Sequence, residues 1–132
     1  MKSLIVVCAL FYICTAFQFH VEFSYIQSWE HTIAPVRDQC LTESRLDRQV
    51  LYDALFTMDF PETREFKRFS SCIWSHLGYY NSTTRKINAE KIGQEVKGFT
   101  TRIAEDCYNE HKTKRSACKM IFYIIKCGIQ KM

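Results

Sequence analysis

Apolar positions recur along most of this chain at intervals of three and four, the spacing that lines side chains up on one face of an α-helix. Trp29, Ile33, Val36 and Cys40 share such a face from about Ser28 onward. Pro35 lies inside that stretch; because proline lacks an N–H and crowds the preceding turn, two short helices or one bent helix are expected there. A helix is expected next over residues 47–56, with Val50, Leu51, Ala54 and Leu55 facing inward. Asp59-Phe60-Pro61-Glu62 breaks the pattern. It resumes from Thr63 with Phe66, Phe69, Ile73 and Leu77, Trp74 widens the stripe, and Gly78 marks a stop. Residues 79–84 read as a polar loop following two tyrosines.

In the second half of the chain Asn88 is placed to cap a helix, with Glu90 in its favourable first turn and Ile92, Val96 and Phe99 on its buried face. Gly93 and Gly98 weaken this segment and make it a candidate for adaptation around a ligand. A further helix is expected over residues 103–111. The last runs over residues 116–129, with Ser116 as cap and Lys126 and Lys131 at the end that favours cations. Met120, Phe122, Tyr123, Ile124 and Ile125 make it apolar nearly all round, which suits a core element or a helix that is core on one face and cavity wall on another. Cys118 and Cys127, nine positions apart, fall on opposite sides of it. The expectation is an all-α fold of about six helices, with no internal repeat and no low-complexity linker.

Ahead of these elements Met1-Lys2 precedes an almost wholly apolar run over residues 4–17, and Cys14-Thr15-Ala16 supplies small residues before a cleavage point. That is the layout of a secretory signal peptide, and the run falls short of the roughly 20 residues a membrane-spanning helix needs. The expected organisation is therefore a signal peptide over residues 1–16 and one secreted, extracellular domain over residues 17–132, opening with a hydrophobic arm over residues 17–25. Five of the seven cysteines fall in that domain: Cys40, Cys72, Cys107, Cys118 and Cys127. An odd number allows two internal bridges and leaves one thiol, and spacing alone does not pair them. A secreted chain of this size commonly needs such staples, because its core is small.

The formal net charge of +4, one less once Lys2 is removed, is mild. Basic clusters at Arg64-Lys67-Arg68, at Arg85-Lys86 and from His111 to Arg115 read first as solvated helix faces, with a polyanion as the alternative partner. Secretion argues against nucleic acid. Enzymatic readings find little support: there is no nucleophile elbow, no His-Glu-x-x-His, no paired-cysteine zinc pattern and no glycine-rich phosphate loop. The His-Asp pair and calcium-binding glycine loop of a secreted phospholipase are also missing. No cofactor and no metal are expected. Asn81-Ser82-Thr83 is an N-glycosylation sequon in a predicted loop, which makes Asn81 a candidate for modification.

The run from Phe60 to Gly78, FPETREFKRFSSCIWSHLG, resembles the pheromone-binding and general odorant-binding family of insect odorant-binding proteins. So does the terminal trio Cys107, Cys118 and Cys127, with ten residues and then eight between its members, and so does Trp29 followed by Arg37 and Cys40. The resemblance spans essentially the whole domain. The family usually carries six cysteines, the second and third separated by three residues. Here Cys72 matches the third and Arg68 stands at the second. By resemblance Cys40 pairs with Cys72 and Cys107 with Cys127, which leaves Cys118 as a free thiol. The familiar cysteine-reduced subgroup lacks both members of this bridge, so this chain departs from it as well. A missing bridge restores entropy to the unfolded chain, an effect of about 2–4 kcal/mol in typical cases, and should leave the third helix freer against the last. Arg68 is expected to turn outward or find a carboxylate, since a lone buried charge is costly, while Cys118 packs as a small hydrophobe.

The resemblance implies helices around an internal apolar cavity that carries odorants, pheromones or similar molecules. The 14% aromatic content supplies material for such a cavity without proving one. The candidate wall residues are Leu55, Phe56, Phe69, Ile73, Trp74, Leu77, Ile92, Val96, Phe99, Phe122, Tyr123 and Ile125, with the Tyr123 hydroxyl available to orient a polar group if it faces inward. Only Gly128 to Met132 follow Cys127, so any lid is expected from loops or the N-terminal arm. His31, His76 and His111 are candidates for pH-driven release. The expected partner is a small hydrophobic molecule, with a membrane receptor as a further candidate, no nucleic acid, and a monomer or weak homodimer as the assembly. The alternative is a salivary or reproductive secretion that binds polyanions or proteins through its surface.

Overall fold

The computed structural model describes residues 21–132. The proposed signal peptide and residues 17–20 of the arm lie outside the described residues. Among the described residues six helices account for most of the length: α1 (Phe23–Ser44), α2 (Arg48–Thr57), α3 (Arg64–His76), α4 (Ala89–Glu95), α5 (Thr101–His111) and α6 (Ala117–Lys131). Between α3 and α4 the chain makes a two-stranded antiparallel ribbon, β1 (Tyr80–Asn81) and β2 (Lys86–Ile87), with Tyr80 opposite Ile87 and Asn81 opposite Lys86. The fold is all-α apart from this ribbon.

Local chemistry sets most helix starts. The side chains of Asp47, Thr63, Asn88, Thr100 and Ser116 accept hydrogen bonds from Gln49, Phe66, Lys91, Ile103 and Lys119 backbone N–H groups, satisfying donors that a helix N-terminus leaves unpaired. Thr100 starts α5 two residues earlier than the apolar pattern suggests. After α3 the chain turns at Gly78, whose φ of +77° suits a residue without Cβ, and the Tyr79 N–H returns to the Trp74 carbonyl at 2.8 Å.

Of the two alternatives at Pro35, two short helices or a single helix through the proline, the structure has one continuous helix of 22 residues. A proline in a helix interior costs about 3 kcal/mol, and tertiary contacts offset it: α1 lies along α3, and beyond the proline Cys40 is bonded to Cys72. The arm ends sooner than expected, because Phe23, Ser24 and Tyr25 already form the first turn of α1. Ile26 and Trp29 are buried there, and the Trp29 ring N–H donates to the Lys97 carbonyl at 2.8 Å. Two smaller differences follow from side-chain direction. Val50 lies on the exposed side of α2 while Leu51, Ala54 and Leu55 are buried, and Tyr79 and Tyr80, assigned to a polar loop, are both buried.

The packing order differs from the chain order. α1 lies on α3, α3 on α6, α6 on α5 and α5 on α4. α6 is central, with Met120, Ile121, Phe122 and Ile124 almost wholly sealed from solvent. Cys40–Cys72 joins α1 to α3, and Cys107–Cys127 joins α5 to α6. Cys118 is unbonded and only half-buried, less enclosed than expected, because it sits in the first turn of α6 ahead of the residues that enter the core. Arg68 is exposed and forms no ion pair among the described residues.

Gly128 brings α6 against the Phe99 ring, where an added Cβ would overlap the aromatic carbons. Gly128→Ala is expected to lower stability by about 1–3 kcal/mol, the usual cost of overpacking, measured by denaturant unfolding. Protein beginning at Phe17, denatured without reductant, is expected to titrate one thiol that labels at Cys118; a second reactive thiol would contradict the two-bridge arrangement.

Candidate functional site

Four of the helices and the segments between them enclose an apolar cavity of about 120 Å³. α1 contributes Trp29, Thr32 and Ile33; α2 contributes Leu51 and Leu55; Phe60 closes one side from the loop before α3. α3 supplies the longest stretch, from Phe66 and Phe69 through Ser70, Ile73 and Trp74 to Leu77 at its cap, and Tyr79 follows. Val96 and Phe99 come from the chain leaving α4, and Ile125 and Ile129 from α6. An apolar cavity of about 150 Å³ holds a benzene-sized molecule, so this one admits a group of roughly that size before its walls must move.

The polar atoms of the wall already have partners. Trp29 is bound to Lys97 as above; the Thr32 hydroxyl donates to the Ser28 carbonyl at 2.9 Å and that of Ser70 to the Phe66 carbonyl at 3.0 Å. The Tyr79 hydroxyl donates to a Glu95 carboxylate oxygen at 3.2 Å. Burial first, then the Glu95 charge, pushes the Tyr79 hydroxyl well above the ordinary tyrosine range, so it stays protonated. No wall donor is left over for a ligand, while the Thr32 and Ser70 oxygens keep capacity to accept. The site is built to take apolar surface, with at most a hydroxyl or similar donor on the ligand.

The structure brings Leu55, Phe69, Ile73, Trp74, Leu77, Val96, Phe99 and Ile125 of the sequence-derived set together on this wall. It places the other four elsewhere. Phe56 points outward, 59% exposed, and stacks on Phe23 at 6.2 Å between centroids. Ile92 and Phe122 belong to solid core, Phe122 meeting Phe66 edge-on at 6.1 Å. Tyr123 faces the outer surface. The wall residues outside that set, among them Trp29, Leu51 and Phe66, were legible from periodicity as core positions but carried no signal separating wall from filled interior.

Tyr123 anchors a cluster on the opposite side of α6. Its hydroxyl donates to Glu62 at 2.7 Å, a bond that is the main cause of the lowered Glu62 carboxyl pKa and the raised Tyr123 pKa. The His111 ring stacks on Tyr123 at 5.8 Å, and the Lys114 and Lys67 ammonium groups lie 4.7 and 5.9 Å from its centre. Burial, then the Lys114 charge, lowers the His111 pKa against an opposing pull from Glu110, and His111 Nδ1 is buried without a partner among the described residues. None of His31, His76 and His111 lines the cavity. Among the described residues, His76 lies near Cys40 and Cys72, and Glu110 and His111 near Cys127, but each of those sulfurs is held in a disulfide and offers no thiolate to a metal.

The fold and its apolar interior define a helical small-molecule-binding protein. The sequence profile of the PBP/GOBP family matches residues 24–131, and the chain belongs to that family, as an atypical member with a reduced cysteine complement. Its members are non-catalytic binding proteins. No curated protein and no solved structure matches the chain.

His111 generates a pH prediction. Its folded pKa lies below the unfolded value near 6.5, so in the interval between the two the unfolded chain binds more protons and stability rises with pH. The contribution is full above about pH 6.5 and is lost as pH falls through the folded value. Replacing His111 with Gln is expected to flatten this part of the stability profile, read from unfolding midpoints across the acid range; an unaltered slope would assign the titration elsewhere.

Proposed function

We propose that this protein carries a small hydrophobic molecule, of the odorant or pheromone class, through extracellular fluid. The observation behind the reading is the apolar cavity whose own polar atoms are satisfied internally. Such a site gains affinity from burying ligand surface at roughly 25 cal/mol per Å², less the freedom the ligand loses. No helix among the described residues is long and apolar enough to cross a membrane, which accords with secretion after removal of residues 1–16. Thr32, Ile33, Leu77, Val96 and Ile125 are only half-buried, and a longer ligand would be admitted by displacement of these walls rather than of the sealed core beneath α6.

A second reading, surface binding of polyanions, has one observation in its favour: Lys67 and Lys126 flank Phe122, Lys67 and Lys114 flank Tyr123, and Glu62 is the carboxylate bound to that group. Its mark would be retention on heparin that falls steeply with salt.

Refolded protein beginning at Phe17 is expected to bind a fluorescent apolar probe one-to-one and release it to members of a panel of alcohols, aldehydes, esters and fatty acids at micromolar concentrations. Val96→Phe, which puts a ring into the cavity, is expected to weaken probe binding about tenfold, equivalent to about 1.4 kcal/mol. Phe56→Ala, on the outside of α2, should leave it unchanged. A folded protein that takes up no probe would overturn carriage and bring polyanion and protein partners forward.

A further inference from the structure

Asn81, Ser82 and Thr83 are exposed in the turn of the β1–β2 ribbon. The Asn81 side-chain oxygen accepts from the backbone N–H groups of Thr83 at 2.9 Å and Thr84 at 3.2 Å, and its main-chain carbonyl accepts from Arg85 at 2.8 Å. These bonds turn the carboxamide oxygen into the loop. Its nitrogen, Nδ2, is left without a partner among the described residues. Beside the ribbon runs a groove of about 920 Å³, bounded by the start of α4 and by α5, with Asn88, Glu90, Glu105, Tyr108 and Asn109 among its lining. It shares no lining residue with the apolar cavity. Carboxylates, amides and one aromatic ring are the groups that hydrogen-bond sugar hydroxyls and pack on the apolar face of a sugar.

We propose that Asn81 carries an N-linked glycan whose first sugars lie in this groove. The proposal rests on export through the secretory pathway, where oligosaccharide is transferred from a lipid-pyrophosphate donor. Nδ2 of Asn81 forms a bond to the anomeric carbon of the first sugar and loses one proton. The bond from that carbon to the pyrophosphate oxygen breaks, and its electron pair leaves with the lipid pyrophosphate. The folded chain accommodates the product because the turn uses only the oxygen of the Asn81 side chain and leaves the nitrogen open to solvent. The glycan covers the ribbon and the α4–α5 side of the molecule and leaves the apolar cavity clear.

The full chain is expressed in a eukaryotic secretion host, and medium and cell fractions are compared by intact and peptide mass spectrometry before and after a glycan-releasing amidase. The expected result is secreted protein heavier than its polypeptide by a hexose-spaced ladder, collapsing on amidase treatment with Asn81 converted to Asp. Thr83→Ser should keep the ladder and Thr83→Ala should abolish it with the turn intact, because the turn uses the backbone N–H of residue 83. Asn81→Asp should also abolish it while keeping the acceptor oxygen. Unmodified chain in the medium overturns the proposal alone; unmodified chain confined to the cell interior overturns export together with it. For the groove, Tyr108→Ala is expected to leave occupancy unchanged and to speed endoglycosidase cleavage of the native glycoprotein, and an unchanged rate would overturn that placement.

Discussion

The contact between α3 and α6 carries no covalent link, although the contacts on either side of it in the packing order both do. Cys40–Cys72 fastens α1 to α3 and Cys107–Cys127 fastens α5 to α6, so each half of the molecule is stapled internally and the halves meet across α3 and α6. At the positions where relatives place a further bridge, Arg68 is solvated and Cys118 is half-buried and unbonded. Phe66 against Phe122 holds the joint, together with Lys67 over Phe122 and Tyr123 and Glu62 joined to Tyr123 and Lys126. An aromatic pair adds about 0.5–1.5 kcal/mol beyond its buried area, and an ion pair as exposed as this one adds little. Neither matches a bridge by itself, so burial of apolar surface is the larger part of what keeps the halves together.

The same joint walls the cavity. Phe66, Phe69, Ser70, Ile73 and Trp74 face it from α3, and Ile125 and Ile129 from α6. The α3–α6 interface, free of covalent links, is therefore one that a ligand must part or fill. Filling it with an apolar molecule replaces missing contacts without asking for a hydrogen bond, because Trp29, Thr32, Ser70 and Tyr79 have placed theirs within the protein. A buried donor left unpaired by the ligand would have carried a penalty of about 1–3 kcal/mol. Membership of a family of binding proteins and an interior of this chemistry are consistent with one another on independent grounds.

Much of the helical framework was legible because it is written in neighbours three and four positions apart. Phe66, Phe69, Ile73 and Leu77 announce α3, Gly78 its end, and Asn88 and Ser116 the starts of α4 and α6. Each of those signals acts within one turn of helix. What local spacing left open or misplaced was decided by a distant partner. Pro35 stays helical because α3 and a disulfide hold α1 along its length. Tyr79 and Tyr80 are buried because the chain folds back on itself there as a ribbon, and because the Tyr79 ring meets Trp74 edge-on at 6.0 Å. Leu55 and Phe56 are adjacent and similarly apolar, yet one lines the cavity and the other stacks on Phe23 in solvent; a single step of about 100° around α2 separates them.

By itself, then, the sequence determined the helical class, most of the helix boundaries, the apolar stripes and the family resemblance, since all of these depend on residue order and local spacing. The tertiary structure decided which apolar side chains line empty space and which fill it, that Tyr123 serves an outer charged cluster rather than the ligand site, and how far Cys118 and Arg68 are enclosed. A cavity is a shortage of atoms between helices, and its walls are set by the distances and rotations at which those helices pack. Periodicity along one chain segment records which face is apolar; it holds no term for what stands opposite.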